Sequence, residues 1–423
     1  MLTENAPRNF LSLVIVALLL VAAVSCNPAP PTPTPTKTPA PTVTPTPPPT
    51  STPEAVEGDV IVIGAVFNAT GWMAAYDQPP RQAALLAIDD INAAGGVLGR
   101  TLQLIELDGK TDPITVESAA RQLVEQGAQV LIAPCDFDVG SPVGHVAQEA
   151  GLVGVSTCAT SPLYGSFTLG DKQFTLGMLS TTMGAAIAEY GCRELAWRTA
   201  YVIVETTIDY NLSLGDYFET HFKSLGGDVV GRDTYTTGEE DFSAHVQRIK
   251  DLPEPPDVLY ITGVMPDLGF ILQQVRAAGV EIPIAGGDTY DDPALFELLG
   301  AEWGDNLYMA THSWLGPEVG DEMKRFIALY EAEYGAPPGS AFIVMGWDTV
   351  KVIAQAIEAA GTTDGEAVAG AMEAQEFELL SGALDWTSAA EGHQPLKAAA
   401  IVQVQDGKPS FLGWSRPEQV PPP

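Results

Sequence analysis

The chain has 423 residues, enough for two or three domains with a sizeable hydrophobic core. Acidic residues outnumber basic ones by 54 to 20, which gives a formal net charge of −34. Because nucleic acids and anionic membrane surfaces bind clustered Lys and Arg, this balance argues against both as partners. With 5 His and 4 Cys, the chain also has little material for a large metal site.

The N-terminus has the pattern of a secretion signal. Phe10 to Val24 is an apolar run of signal-peptide length, which is short for a membrane-spanning helix. It is followed by Ser25 and Cys26, and this ending resembles the lipobox of bacterial lipoproteins, whose cysteine carries the lipid. Ordinary cleavage near Ala23 with full secretion is the alternative. We therefore predict a signal peptide over residues 1–25 and lipidation of Cys26.

A spacer follows the predicted lipid site. Residues 27–53 contain 12 Pro and 9 Thr. Such a segment has almost nothing to bury and favours an extended polyproline II conformation, so it is typical of a semi-rigid linker. We predict that residues 26–58 hold a folded domain away from a membrane anchor outside the cytoplasm.

The remainder of the chain alternates between strand and helix patterns, which is typical of parallel sheets covered by helices on both faces. A first series of short apolar runs and amphipathic stripes ends near residue 156, and a second series begins after Thr181. Two similar α/β halves in succession predict two lobes. The predicted strands are 60–67, 102–107, 130–133, 153–156, 201–204, 229–234, 258–262, 282–285 and 398–404. A loop is predicted over 68–78, and helices are predicted near 321–334 and 341–360.

Open α/β sheets bind ligands at the carboxyl ends of their strands. The loops expected there are rich in aromatic and acidic side chains, which would suit a small ligand with an ammonium group and an apolar part. Capping of the helices that follow is the structural alternative for each single Asp. The side chains concerned are Trp72, Tyr76, Phe137, Tyr164, Tyr210, Asp136, Asp138, Asp209, Asp288 and Asp291.

Several short motifs occur in order along the α/β part of the chain. The stretch 87–100 reads AIDDINAAGGVLGR and is followed by a strand and Asp108. Further motifs are VSTCATSP at 155–162, Tyr210, PDLG at 266–269, GGD at 286–288 and SAF at 340–342. Together they resemble the type I periplasmic binding proteins, in particular the leucine/isoleucine/valine- and amide-binding receptors of ABC importers. The resemblance spans about 59–413.

The resemblance implies two lobes, each a parallel sheet flanked by helices, joined by three crossovers and closing over the ligand by a hinge motion. The first lobe is expected over 59–177 plus 312–384, and the second over 178–311 plus 385–423. It also implies roles at matching positions. Thr160 and Cys158 offer polar groups to the ligand, Asp288 accepts from its ammonium and Tyr210 closes over it, while Tyr76 and Phe342 line its side-chain pocket.

One loop departs from the family pattern. Where relatives offer Ser or Gly to a ligand carboxylate, this chain has Asp136, Phe137 and Asp138. Two acids would repel a carboxylate unless they point away or cap the next helix. We therefore expect the ligand to differ from a plain branched-chain amino acid and to be an amide, an amine or a basic amino acid.

The cysteines allow two interpretations. Besides Cys26 there are three, an odd number, so at least one is unpaired in a monomer. Cys135 and Cys158 follow strands that are expected to be neighbours, so they either form a disulfide or pack as small buried thiols.

Other functions find less support. No nucleophile elbow, phosphate loop or paired metal-ligand spacing occurs, so we expect neither an enzyme nor a bound cofactor. The predicted function is capture of a small molecule for an ABC permease by a monomer that touches the membrane only through its lipid. A lipid-anchored receptor of the same fold that signals to a membrane partner is the alternative.

Overall fold

The computed structural model describes residues 60–316 and 319–422. The predicted signal peptide, Cys26 and the Pro/Thr-rich linker lie outside the described residues. None of the helices that the model describes combines the length and the apolar character needed to cross a membrane.

The first sheet has five parallel strands in the order β2-β1-β3-β4-β5. Its central strands are short and fully buried, as expected for a parallel sheet covered on both faces. The elements of this part are β1 Val60–Phe67, α1 Ala74–Ala93, β2 Thr101–Asp108, α2 Pro113–Glu125, β3 Val130–Ala133, α3 Phe137–Glu149, β4 Val153–Ser156, α4 Ser166–Leu169 and β5 Gln173–Thr175.

The second sheet has seven strands in the order β15-β14-β10-β9-β8-β6-β7, of which β14 and β15 run antiparallel to their neighbours. It is built from α5 Ser180–Glu194, β6 Thr199–Glu205, α6 Asp209–Ser224, β7 Asp228–Tyr235, α7 Ser243–Lys250, β8 Val258–Ile261, α8 Asp267–Ala277, β9 Ile284–Gly286, α9 Pro293–Trp303, β10 Leu307–Thr311, β14 Ala399–Gln405 and β15 Lys408–Ser415.

Between β10 and β14 the chain returns to the first sheet. This segment contains α10 Asp321–Tyr334, α11 Ala341–Ala360, α12 Gly365–Glu373 and a small sheet of β11 Phe377–Leu379, β12 Gly382–Trp386 and β13 Pro395–Leu396. Helix α11 crosses α1 at very close range. A Cβ on Gly346 would lie 1.8 Å from the carbonyl oxygen of Pro80, so only glycine fits at this crossing.

The chain therefore passes between the two sheets three times. The first crossover is 176–179, the second begins at residue 312 directly after β10, and the third is 397–398 before β14. Two parallel-sheet lobes flanked by helices are what the sequence predicted, and this prediction is confirmed. We call the parts carrying the five-stranded and seven-stranded sheets the first and second lobe.

The lobe boundaries stay a prediction, and contacts near the third one bear on it. The indole nitrogen of Trp386 donates to the carbonyl oxygen of Thr175 at 2.9 Å, and the ring of His393 stacks on Phe174. Both contacts are with β5 of the first lobe. They favour a third boundary near 397–398 over the predicted 384/385.

The predicted helices at 321–334 and 341–360 have these bounds in the structure. One local expectation differs. The stretch 68–78 was expected to be a loop, but α1 begins at Ala74 and continues through Pro79 and Pro80. Proline usually marks a helix boundary because it lacks an N–H donor, so a helix with two prolines in its first half has a weak sequence signal.

Candidate functional site

A cavity lies between the two lobes, at the carboxyl ends of both sets of parallel strands. The first lobe contributes the loops after β1, β3 and β4 together with the start of α11, and the second contributes those after β6, β8 and β9. The lining residues are Trp72, Met73, Tyr76, Cys135, Asp136, Cys158, Thr160, Ile208, Tyr210, Val264, Asp288, Thr289 and Phe342.

The cavity brings together most of the residues singled out from the sequence. Trp72, Tyr76, Asp136, Cys158, Thr160, Tyr210, Asp288 and Phe342 all line it. Phe137 and Asp138 do not belong to its lining, since Phe137 packs edge-on against Tyr164 and Asp138 faces the second lobe. Contact with a ligand stays a prediction for each of these residues.

No individual sequence signal marks Met73, Ile208 or Thr289 as lining residues. Each lies within a loop that the strand-end rule marked as part of the site, so that rule found their location but not the side chains. Apolar and hydroxyl residues in such loops carry no chemical pattern that separates lining from packing.

A buried carboxylate fixes two of the first-lobe loops. Asp77, in the first turn of α1, is fully buried and accepts hydrogen bonds from the backbone N–H of Asn68 and of Cys135 at 3.0 and 2.8 Å. The amide group of Asn68 donates a third at 2.8 Å. Burial raises the pKa of the Asp77 carboxyl to about 7, while these hydrogen bonds lower it. Asp77 therefore ties the loop after β1 to the loop after β3.

A disulfide joins the loops after β3 and β4. Of the two interpretations left open by the sequence, the structure has the bridge: Cys135 and Cys158 are bonded, with Cα atoms 4.6 Å apart. Because both residues line the cavity, the bridge forms part of its wall. Cys192, on α5, is a free thiol and lies away from the cavity.

Asp136 has two roles in the structure. Its side chain is the N-cap of α3 and accepts from the backbone N–H of Val139 at 3.0 Å. It also lines the cavity, where burial raises its pKa to about 7, and the neighbouring charges of Asp138 and Asp77 add to the rise. Asp136 therefore has the structural role that was the alternative for loop acids, namely helix capping. The same residue also faces the cavity.

Asp288 is the most unusual polar group of the site. It is only 2% exposed, and its Oδ1 has no hydrogen-bond partner among the described residues. Oδ2 lies 2.7 Å from Nε2 of His312. Burial, the charge of Asp288 and a side-chain contact with the Asp288 carboxylate raise the pKa of the Tyr210 hydroxyl well above its ordinary value. A buried carboxyl oxygen without a donor leaves an acceptor unsatisfied, and a donor group from elsewhere can satisfy it.

Aromatic rings surround the rest of the cavity. Tyr76 packs edge-on against Phe342, with ring centroids 5.4 Å apart, and against Trp72 at 6.5 Å. Such rings offer both apolar contact and a negative face to a cation. Among the described residues that line the cavity, none is a Lys, Arg or His. The chemistry therefore favours a small ligand with a positive group and an apolar part.

The two lobes touch directly beside the cavity. Oδ2 of Asp138 accepts a hydrogen bond from the backbone N–H of Asp209 at 2.8 Å, and the hydroxyl of Tyr76 accepts one from Met265 at 3.2 Å. Helix α6 begins after Ile208, which provides no side-chain cap. Asp138 of the first lobe thus caps the first turn of a second-lobe helix, an arrangement that exists only when the lobes are closed.

Comparison with known families agrees with this geometry. The model of the family described as "Periplasmic binding protein" matches residues 60–409. The chain is a member of the periplasmic binding protein family. Proteins of this family are solute-binding receptors and not enzymes, which confirms the prediction of a receptor and fits a cleft closed between two lobes.

Relatives of this periplasmic binding protein include the Leu/Ile/Val-binding protein BraC3 of Rhizobium johnstonii. It is 29% identical over 314 residues, which cover 74% of this chain and 83% of BraC3. The solved branched-chain amino acid transporter substrate-binding protein LivJ of Streptococcus pneumoniae, in complex with isoleucine, is similar with a TM-score of 0.77 and 25% identity. The match covers 85% of this chain and 100% of LivJ.

A more distant solved structure shows the same fold. The solute-binding protein of an ABC transporter from R. palustris, in complex with benzoate, is 20% identical with a TM-score of 0.74. The match covers 86% of this periplasmic binding protein and 98% of that chain. At this identity the likeness shows the fold alone.

The raised pKa of Asp136 predicts a pH-dependent stability. Between the unfolded pKa of 3.8 and the folded pKa of about 7, the folded protein holds a proton that the unfolded chain has released. The stabilisation is therefore lost as pH rises through about 7. Asp136→Asn keeps the cap and cannot ionise, so only the wild type should lose stability as pH rises. The free energy of unfolding of the variant minus that of the wild type should therefore increase by on the order of 2 kcal/mol from pH 5 to pH 8.

Urea unfolding at both pH values measures this difference. Asp112→Asn is the matched control. Asp112 caps α2 in the same way, but its hydrogen bonds with Thr115 lower its pKa, so it is ionised throughout this range. A pH-independent difference between Asp136→Asn and wild type would show that the Asp136 carboxyl is already ionised at pH 5.

The contact of Asp138 with α6 predicts a second effect, on closure. Asp138→Ala removes an acceptor outside the cavity lining and should weaken the closed form by about 1 kcal/mol, a several-fold change in population. Small-angle scattering should give a larger radius of gyration for this variant, and Asp138→Asn, which keeps a side-chain oxygen, should be intermediate.

Asp364→Ala is the control for closure, because Asp364 caps α12 within the first lobe and is exposed. It should leave the radius of gyration unchanged. Equal radii for Asp138→Ala and wild type would contradict a role of Asp138 in closure.

Proposed function

We propose that this chain is the solute-binding protein of an ABC importer. It captures an amino acid or a related amide or amine between its lobes and delivers it to a permease. Family membership provides the solute-binding role and implies an extracytoplasmic location, and the similar Leu/Ile/Val-binding proteins support an amino-acid-like ligand.

The observation that carries the ligand class is the unpartnered Oδ1 of Asp288 in an aromatic cavity. An ammonium group would give this oxygen the charged donor that it lacks, and the closed cleft would exclude water from the pair. The rings of Tyr76 and Phe342 would hold the apolar part of the ligand.

The second acid at the cavity supports a ligand without a free carboxylate. Asp136 stands on the wall opposite the second lobe, and no cationic side chain among the described lining residues offsets it. A carboxylate placed there would meet a carboxyl group whose charge grows as pH rises through about 7. An amide or amine avoids this repulsion, and a basic amino acid would offset it with its second positive charge.

For the mechanism we propose hinge closure about the three crossovers. Ligand entering the open cleft first contacts one lobe, and only the closed form adds contacts from the other, so binding shifts the population towards closure. The hydrogen bonds of Asp138 and Tyr76 across the cleft support this, because they belong to the closed form. The permease would recognise the surface that closure creates.

We also propose that Cys26 carries a lipid and that residues 26–58 tether the receptor to the membrane. The lipobox-like ending of the apolar run and the Pro/Thr-rich spacer support this proposal. In cells labelled with palmitate, the wild-type chain should incorporate label and fractionate with membranes. Cys26→Ala should do neither, and unchanged labelling of this variant would contradict the anchor.

The ligand proposal is tested by thermal shift on the full chain, unfolded and refolded to remove ligand. The library contains amino acids, amides, amines, polyamines and nucleosides. A specific ligand at ~100 times its Kd should add about 2.7 kcal/mol to the free energy of unfolding. We expect shifts only from compounds with an amino group, and larger ones from those without a carboxylate.

Asp288→Asn should then weaken binding of the active compounds by on the order of 2–5 kcal/mol in calorimetry, as expected for one half of a buried charge pair. Asp267→Asn is the matched control, since Asp267 is a buried second-lobe acid outside the cavity lining. Tight binding of leucine or valine that is undiminished in Asp136→Asn and Asp138→Asn would reject the proposed ligand class.

A further inference from the structure

His312 lies between the hinge and the cavity without lining the cavity. It follows β10 directly, so it is the first residue of the second crossover, and it is fully buried. Its Nδ1 accepts a hydrogen bond from the backbone N–H of Met178, in the first crossover, at 3.4 Å. Its Nε2 lies 2.7 Å from Oδ2 of Asp288. One imidazole therefore touches two crossovers and the acid of the proposed site.

The contact with Met178 assigns the protonation form of the ring. An Nδ1 that accepts from a backbone N–H carries no hydrogen, so the single proton of a neutral imidazole is on Nε2, the nitrogen that lies 2.7 Å from Oδ2 of Asp288. In an imidazolium, Nδ1 would carry a hydrogen that points at the backbone N–H of Met178. Two hydrogen-bond donors would then be in contact, which is unfavourable. Nε2 is close to Oδ2 but does not reach regular hydrogen-bond geometry, and it has no other partner among the described residues.

This form of the ring decides what Asp288 can offer. A neutral imidazole orients Oδ2 and leaves the carboxylate charge in place. A histidinium would cancel that charge. The other oxygen, Oδ1, is buried and unpartnered. The ring also packs edge-on against Phe342, with centroids 5.7 Å apart, which restricts its rotation. One oxygen of the carboxyl group thus lies beside the imidazole, and the other has no hydrogen-bond partner among the described residues.

We propose that His312 is a positioning residue for ligand capture. Held as the Nε2–H tautomer by the first crossover, it orients Asp288 so that Oδ1 receives the ammonium group of the ligand. Ammonium binding and the arrangement of the first two crossovers are thereby linked through one side chain. The role in capture rests on the proposed function, whereas the tautomer does not.

The first test needs no ligand. The full chain is labelled with ¹⁵N-histidine, and long-range ¹H–¹⁵N spectra are recorded at pH 7, with His312→Gln used to assign the signal. We expect His312 to be a neutral ring with the proton on Nε2 and an unprotonated Nδ1. His145→Gln, which removes an exposed histidine, is the control for assignment. A proton on Nδ1, or a doubly protonated ring, overturns the proposal.

The second test uses two probes in calorimetry. L-leucinamide carries an ammonium group and no carboxylate, and 4-methylpentanamide is the same molecule without the amino group. His312→Leu should weaken leucinamide binding at least ~10-fold and leave 4-methylpentanamide unchanged. His312→Gln, whose amide N–H extends towards Asp288, should restore most of the leucinamide affinity.

The outcomes separate the two proposals. Equal losses for both probes, or no rescue by Gln, reduce His312 to a structural role and overturn the inference. Failure of the wild-type chain to bind leucinamide counts against the proposed ligand class instead, and the nitrogen spectrum then decides the state of His312 alone. Thermal unfolding of both variants verifies that they are folded.

Discussion

The cleft of this receptor is governed by the difficulty of burying acidic side chains. A carboxylate removed from water is unfavourable unless hydrogen bonds or an opposite charge replace the lost hydration. Each acid meets this requirement differently. Asp77 accepts three hydrogen bonds within the first lobe, Asp136 caps its own helix, and Asp138 accepts from a helix of the other lobe. Of these four acids, only Asp288 keeps a buried oxygen without a hydrogen-bond donor.

The four acids thus differ in the role that we assign to them, structural for three and ligand recognition for the fourth. Three of the acids hold loops and helices in the arrangement that forms the cavity wall. The fourth, Asp288, has an oxygen without a donor, and in the proposed function the ligand supplies that donor. Because the disulfide between Cys135 and Cys158 and the hydrogen bonds of Asp77 hold the first-lobe loops, the wall is largely formed before a ligand arrives. Little ordering of these loops then opposes binding.

Much of this fold follows from local patterns in the sequence. Continuous apolar runs predicted most of the buried strands, and amphipathic stripes predicted helices, since both patterns depend on burial. The buried strands β5 and β10 were not predicted. The strand-end rule also located the cavity, because it depends only on sheet topology. The sheet order and the antiparallel pair β14 and β15 depend on contacts between distant segments, which no local pattern encodes.

The finer chemistry of the site could not be read in the same way. Asp136 and Asp138 are two residues apart and equally acidic, yet one lines the cavity and the other reaches across the cleft. Which side chain faces the cavity and which faces α6 depends on the residue at which α3 begins and on the position of α6 across the cleft. His312 gave no signal either, because an isolated histidine after a strand acquires meaning only from Met178 and Asp288, which are far from it in sequence.

The cap that Asp138 provides to α6 has a consequence for how such receptors can be recombined. The second lobe does not contain all the groups that complete its own secondary structure, since Ile208 supplies no side-chain cap and the acceptor for the N–H of Asp209 belongs to the first lobe. A chimaera that joins this second lobe to the first lobe of a relative would inherit an unfinished helix unless the new partner places an acceptor at the same point. The lobes are thus matched parts and not interchangeable modules.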